Sequence, residues 1–333
     1  MDSGEVSRFS SRSIATVGEF VRGFFADLEA QAIPSAVLHG WEDGFSGSLS
    51  DVDFAVDRAT FRRLPEIIHT WCERGGWMLC QILRHETTAA YFVCASKDDP
   101  SRVVALDACS DYRWNGCQIL SSVELLGSHV LMASGGVRVS DEIALCYRFA
   151  KAAGKKKAVA GCFEEFAGYS ESDRRFCESW LNRRFGIYRV DWSERGLDVA
   201  FCHIRRQLPK RPRVAFGEIL RIFRRVSAPT GLLAILSRDF PPDDRARLTG
   251  MFGHLYFRRT SSIPKVGPRV WSRLVASTLV LSETSGGKWA RLFPRDCVLN
   301  FSEEVNVEEV TMRVVHQLHQ RCLSREGLQT RNT

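Results

Sequence analysis

Two aspartates one residue apart, Asp51 and Asp53, stand at the head of an otherwise apolar stretch, Val52 to Val56. Side chains of a strand alternate between its faces, so both carboxylates point one way while Val52 and Phe54 point into the core. Carboxylates held side by side repel one another unless a cation sits between them. The usual cation is Mg²⁺, held by one or two carboxylates together with phosphate oxygens of a nucleotide. Just upstream, Leu38-His39-Gly40-Trp41-Glu42 reads as a strand running into a glycine turn. Strand, turn and paired carboxylates together read as a metal-dependent phosphoryl or nucleotidyl transfer site.

Such chemistry calls for a third acid, to complete a metal site or to take the proton from an attacking hydroxyl. The run Val103-Val104-Ala105-Leu106-Asp107 supplies one at the end of a strand fit for burial. A buried acid without a partner is costly, so Asp107 needs a metal, a cation or several hydrogen bonds. Asp111 is the alternative third acid, and a turn-and-cap pair without metal is the alternative reading of Asp51 and Asp53. Glu42, Asp43, His85 and Glu86 fall near these segments. His39 reads as a packed strand residue, and His85-Glu86 as an exposed turn.

The elements that must position these residues follow from periodicity. Val17, Phe20, Val21, Phe24, Phe25 and Leu28 recur at helical spacing over 14–31, with Ser13 as N-cap and Pro34 as breaker. Strands are expected at Ala36–His39 and Val52–Val56, then a helix from Thr60 to Glu73 closed by Gly75-Gly76. Three more strands, Met78–Leu83, Ala89–Ala95 and Val103–Cys109, complete a mixed α/β domain over 13–125 behind a tail at 1–12. The turn Lys97-Asp98-Asp99-Pro100-Ser101 joins the last two. Residues 126–226 read as a helical middle region, with helices at Asp141–Ala153 and 171–185. Lys155-Lys156-Lys157 reads as a solvated helix end, with phosphate binding as the alternative. From 227 to 325 the pattern returns to α/β. The apolar run Gly231–Leu236 is expected to be a buried parallel strand. Leu274–Leu281 and Cys297–Phe301 are expected strands, Glu304–Leu323 is a closing amphipathic helix, and 326–333 is a tail.

Composition bounds the partners. The 333 residues are 44% hydrophobic and 26% charged, ordinary for a globular chain of two or three domains. No apolar run approaches the ~20 residues of a membrane span, and the first dozen residues lack a signal-peptide core. The net charge of +7 and a pI near 8.9 suit phosphate-rich ligands but fall short of a dedicated nucleic-acid binder. Eleven cysteines, scattered singly, read as reduced thiols of a cytoplasmic protein and not as a zinc site or a disulfide scaffold.

Gly40, a ten-residue spacer, Asp51-x-Asp53 and a later strand aspartate resemble the nucleotidyltransferase fold of the polymerase-beta type. The fuller strings Leu38-His39-Gly40-Trp41-Glu42-Asp43 and Ser50-Asp51-Val52-Asp53 resemble most a bacterial subgroup whose members often occur with surface-polysaccharide genes. The resemblance implies a central twisted sheet, two Mg²⁺ ions on Asp51, Asp53 and Asp107, and an NTP whose phosphates lie along Gly40, Trp41 and Ser50. Trp41 departs from the family, which has Ser or Gly directly after the glycine. Farther on, Pro229-Thr230-Gly231-Leu232 and the apolar strand after it resemble the start of a thymidylate-kinase-like domain. The expected phosphate loop is replaced by Ser237-Arg238-Asp239-Phe240-Pro241-Pro242-Asp243-Asp244. Both glycines and the lysine of that loop are gone, which argues against kinase chemistry. Arg258-Arg259 reads as a solvated pair.

These readings lead to an Mg²⁺-dependent enzyme that moves a nucleotidyl group from an NTP to a hydroxyl acceptor: a sugar, a metabolite or a protein side chain. The alternative is a non-catalytic nucleotide-binding or regulatory scaffold built from two degenerate catalytic folds.

Overall fold

The structure, a computed structural model, describes residues 14–41, 45, 51–114, 116–155, 159–208, 219, 222–223, 226–237, 239–253, 256–257, 259–263, 266–267, 269–283, 293–301 and 305–328. Ser50, Glu42, Asp43, Lys156, Lys157, Arg258, the expected tail 1–12 and residues 329–333 lie outside the described residues. Glu326, expected to open the tail 326–333, is the last residue of the final helix and is ion-paired to Arg84.

The N-terminal half is built on a seven-stranded mixed sheet. Its strands are β1 (Ser35–His39), β2 (Asp51–Val56), β3 (Trp77–Arg84), β4 (Ala89–Ser96), β5 (Val103–Cys109), β8 (His129–Leu131) and β9 (Val137–Val139). They lie in the order β3-β4-β5-β2-β1-β9-β8. Beside the sheet stands a small ribbon of β6 (Tyr112–Trp114) and β7 (Cys117–Leu120). β2 runs parallel to β5 and β1 parallel to β9, while the other neighbours are antiparallel. The sheet thus runs past residue 125 to residue 139. Its last two strands have three residues each, too short to leave a periodic signal.

One face of this sheet is closed by α1 (Val17–Ala30) and α2 (Arg58–Gly75). Phe20, Phe24, Phe25 and Leu28 of α1 pack with Val37, Val52, Phe54, Leu64 and Ile68 in one core. Each large side chain fully buried there contributes roughly 1.5–3 kcal/mol. The N-cap of α1 is Thr16 rather than Ser13. Glu19 three residues on completes a capping box with Thr16, satisfying two backbone donors at once. α2 starts at Arg58, two residues earlier than expected, because Asp57 accepts from Ala59 N and Thr60 N. It ends at Gly76 in the left-handed region (φ 73).

The opposite face is covered in two parts. Over Ala36, Leu38, Ala55 and Cys109 lies α4 (Asp141–Lys155), which shares a core with α6 (Glu171–Phe185) and α7 (Glu194–Gln207). The short α3 (Ser122–Gly127) and α5 (Val159–Ala167) complete this region. Over Met78, Cys80, Val93 and Ala95 lies the C-terminal half. That half is a parallel sheet of β10 (Leu232–Ile235), β11 (Arg259–Ile263), β12 (Thr278–Ser282) and β13 (Val298–Asn300), in the order β11-β12-β10-β13. Its helices are α8 (Pro242–Phe252), α9 (Arg269–Val275) and α10 (Val307–Glu326).

The expected strand Leu274–Leu281 is two elements. Leu274 and Val275 end α9, Ser277 turns the chain at φ 57, and β12 begins at Thr278. A short apolar run cannot by its periodicity separate a buried helix end from a buried strand. The turn is packed tightly: a Cβ on Gly231 would lie 2.5 Å from Leu274 Cα.

α10 joins the halves. Val310, Val314 and Leu318 pack with Met78 and Cys80 of β3 and with Leu232 of β10. His319 Nδ1 bonds Leu79 O at 3.0 Å, and Gln81 Nε2 donates to Thr230 O at 3.0 Å. Among the described residues no helix is long and apolar enough to cross a membrane.

Candidate functional site

The sheet register aligns one residue from each of four strands. His39 of β1 is opposite Asp53 of β2, Asp53 opposite Asp107 of β5, and Asp107 opposite Tyr91 of β4. A bulge between Val37 and His39 shifts the β1 register and brings His39 level with Asp53. Gly40 follows at φ 93, a conformation open to glycine and strained for other residues.

Asp53 is 5% exposed and is ion-paired to Lys151 of α4. Asp51, at the first position of β2, is exposed. Asp107 keeps 28% side-chain exposure and lies 3.7 Å from His85 Nε2. Burial, with added repulsion from Asp53 and Asp51, pushes the Asp107 carboxyl up to about 8, against the pull of Lys151 and Lys155. Burial also raises the phenol of Tyr91, with Asp51, Asp107 and Asp53 acting in the same sense. His39 is lowered by burial and by Arg148 and Lys151. Its Nδ1 lies 3.1 Å from Arg148 Nη2, an acceptor's position that fits a neutral ring.

Of the two candidate acids, Asp107 is the one in register with Asp53. Asp111 is tied up in structure, accepting from Arg113 Nη2, Gln118 Nε2 and Ser122 N, each at 3.1 Å. Two guanidinium groups approach Trp41, Arg138 at 5.5 Å and Arg148 at 5.4 Å from its ring centre. Its indole is thereby held against α4 and β9, and each contact adds about 0.5–1 kcal/mol.

Sequence reasoning missed the contribution of α4. Tyr147, Lys151 and Lys155 recur at i, i+4 and i+8, and all three line the cleft with Asp53 and Asp107. The signal was present as two lysines four residues apart, with only Ala152, Ala153 and Gly154 between them. Lys155 is exposed at the last position of α4, as expected of a solvated helix end, and it also lines the cleft with the carboxylates. Desolvation of its ammonium and the charge of Lys151 lower it, while Asp53 and Asp107 oppose the shift.

The cleft measures about 1350 Å³. The sheet face forms its floor, α4 and the β6–β7 ribbon one side, and Thr230, Arg321 and Arg325 of the C-terminal half the other. Arg321 and Arg325 brace that side by donating to the carbonyls of Gly231, Thr230, Ala228 and Pro229.

Three carboxylates in this setting suit a hard, oxygen-seeking cation rather than a soft one. Among the described residues no three such ligands are drawn together closely enough to hold an ion. Lys151 meanwhile supplies the positive charge at Asp53.

After β10 the chain turns through Ser237 into α8, whose first turn carries Asp243 and Asp244. Arg245 donates to Ser237 O at 3.2 Å and is ion-paired to Glu283 after β12. A guanidinium from within the helix thus clamps the loop to the neighbouring strand end.

No family model matches the chain, and no curated protein matches it. Among solved structures, the solution structure of the antibiotic-resistance factor ANT(2'')-Ia matches at 14% identity, over 57% of this chain and 91% of that one. The TM-score is 0.29, too low to establish a common fold.

Proposed function

We propose that the N-terminal half transfers a nucleotidyl group from an NTP to a hydroxyl acceptor. The observation that carries the reading is the in-register pair Asp53 and Asp107 on a cleft floor flanked by Lys151 and Lys155. Mg²⁺ would be held by Asp51, Asp53 and Asp107 once Lys151 releases Asp53 and the carboxylates draw closer, and would supply charge neutralisation to the phosphates.

The chain's own groups divide the remaining work. The backbone at Gly40 lets the triphosphate approach closely, and Lys155 offers it a counter-charge. Lys151 releases Asp53 and turns to a phosphate oxygen as the nucleotide arrives. The acceptor oxygen attacks the α-phosphorus, the bond to the bridging β-oxygen breaks, and pyrophosphate leaves. Asp107, level with Asp53 on the neighbouring strand, draws the acceptor's proton and so helps to generate the nucleophile. The C-terminal half performs no phosphoryl transfer in this reading, because Asp243 and the Arg245–Glu283 clamp occupy the loop after β10. The resemblance to the polysaccharide-associated subgroup points to a cytoplasmic enzyme whose acceptor belongs to surface-polysaccharide metabolism.

A second reading, a non-catalytic nucleotide-binding or regulatory scaffold, is favoured by one observation: the Lys151–Asp53 pair neutralises the carboxylate without metal. Calorimetric titration of each NTP, with and without Mg²⁺, separates the two. The enzyme reading expects Mg²⁺-dependent binding that disappears in the Asp51→Asn/Asp53→Asn variant. Metal-independent binding unchanged in that variant favours the scaffold.

A further inference from the structure

The cleft is larger than the roughly 300–1,000 Å³ that one small ligand fills, and its polar groups form two sets. Lys151 and Lys155 face the carboxylates. The second set lies beyond the C-terminal ends of the parallel strands β2 and β5. Cys109 is level with Ala55 on one side and with Ala89 on the other. Arg58 comes three residues after Ala55, Ser110 one after Cys109 and Thr88 one before Ala89, and Ser110 N donates to Thr88 O at 2.8 Å. Arg62, one helical turn beyond Arg58, shares its face of α2 and also lines the cleft.

Two buried polar atoms at this end lack a hydrogen-bond partner. Thr88 is 8% exposed and its Oγ1 is unpaired, and the Nε of Arg113 is likewise unpaired although its Nη2 holds Asp111. A buried unpaired polar atom costs about 1–3 kcal/mol, and a ligand that pairs with it recovers that cost. Among the described residues neither Arg58 nor Arg62 has a carboxylate partner. Glu86 and Asp111 also line the cleft.

Resting on the nucleotidyl-transfer reading, we propose that this end of the cleft is the acceptor subsite and that the acceptor is a soluble sugar carrying a phosphate monoester. Arg58 and Arg62 take the phosphate, and Thr88 Oγ1 and Arg113 Nε take sugar hydroxyls. Ser110 lies three residues past Asp107, about 10 Å along an extended chain. A phosphorylated monosaccharide anchored at the arginines therefore extends a hydroxyl toward Asp107.

The test is calorimetric titration of the full chain with glucose 6-phosphate, inorganic phosphate and glucose, in the wild type and in Arg58→Gln/Arg62→Gln. Both arginines are exposed, and an unchanged melting temperature verifies that the variant folds. The phosphate ester is expected to bind saturably, inorganic phosphate more weakly, and glucose not at all. The variant is expected to lose at least tenfold in affinity for the ester while MgATP affinity stays within twofold. Glucose binding as tightly as its phosphate, or no saturable binding of either phosphate, overturns the proposal. So does a parallel tenfold loss of MgATP affinity, which would place the arginines on the nucleotide. If the ester binds as expected but no NTP binds either protein, the nucleotidyl-transfer reading falls and the phosphate subsite stands.

Discussion

Replacing Lys151 by methionine keeps most of the side-chain volume and removes an ammonium that is ion-paired to Asp53. Asp53 and Lys151 have side-chain exposures of 7% and 15%, so water cannot replace the lost partner. Breaking a buried pair from one side costs about 3–5 kcal/mol. The cost is expected at the low end, because Asp107 beside it already holds a proton up to about pH 8 and so carries less than a full charge at neutrality. For a unit of 150–250 residues, ~3 kcal/mol lowers the melting temperature by roughly 6–12 °C. The effect depends on pH. The folded-state value of Asp107 exceeds its ordinary 3.8, so the folded protein binds more protons than the unfolded one between 3.8 and about 8. Stability contributed by this group is full below that window and falls as pH rises through it, by at most about 1.4 kcal/mol per unit. Without Lys151, which pulls the carboxyl down, the window extends to higher pH and the variant's deficit grows between neutral and alkaline buffers. The assay is thermal denaturation followed by far-UV circular dichroism across that range, with and without millimolar Mg²⁺. Mg²⁺ is expected to stabilise the variant more than the wild type, because no ammonium competes for Asp53. A variant that melts with the wild type at every pH, or gains no more from Mg²⁺, refutes the reasoning.

Asp107→Asn is expected to lower turnover at least a hundredfold with the melting temperature unchanged or raised, since the amide, unlike the carboxyl, never carries a negative charge beside Asp53. Asp111→Asn is expected to retain turnover and lose about 1–2 kcal/mol of stability, because Asp111 accepts three hydrogen bonds. Steady-state kinetics beside urea denaturation distinguishes them, and a reversed pattern would make Asp111 the reacting acid. Gly231→Ala places a Cβ 2.5 Å from Leu274 Cα and 2.7 Å from two carbonyl oxygens. Such overpacking costs about 1–3 kcal/mol, read as a lower urea midpoint for the C-terminal half.

Much of the local structure was legible in the chain. Six apolar positions at helical spacing mark α1, and the alternation around Asp51 and Asp53 places both on β2. Gly75-Gly76 ends α2, and residues 171–185 form α6 within the bounds that their pattern predicts. These signals are local: a helix stripe, a strand's alternation and a glycine turn are properties of neighbours a few residues apart. The errors are also local in origin. Leu274–Leu281 is apolar throughout, so its composition does not separate the end of α9 from β12. The strands at 129–131 and 137–139 are too short to show a period.

By itself, then, the sequence determined which residues could do chemistry: two carboxylates on one strand face, a third on another strand, and a glycine turn before them. Only the tertiary structure decided how they meet. Strand register, set by backbone hydrogen bonds between distant segments, made Asp107 rather than Asp111 the partner of Asp53. Packing of α4 across the sheet brought Lys151 to a carboxylate 98 residues away. Docking of α10 on β3 gave the cleft a side from the C-terminal half. Each of these contacts joins groups far apart along the chain, where no local period connects them and burial in a common core does.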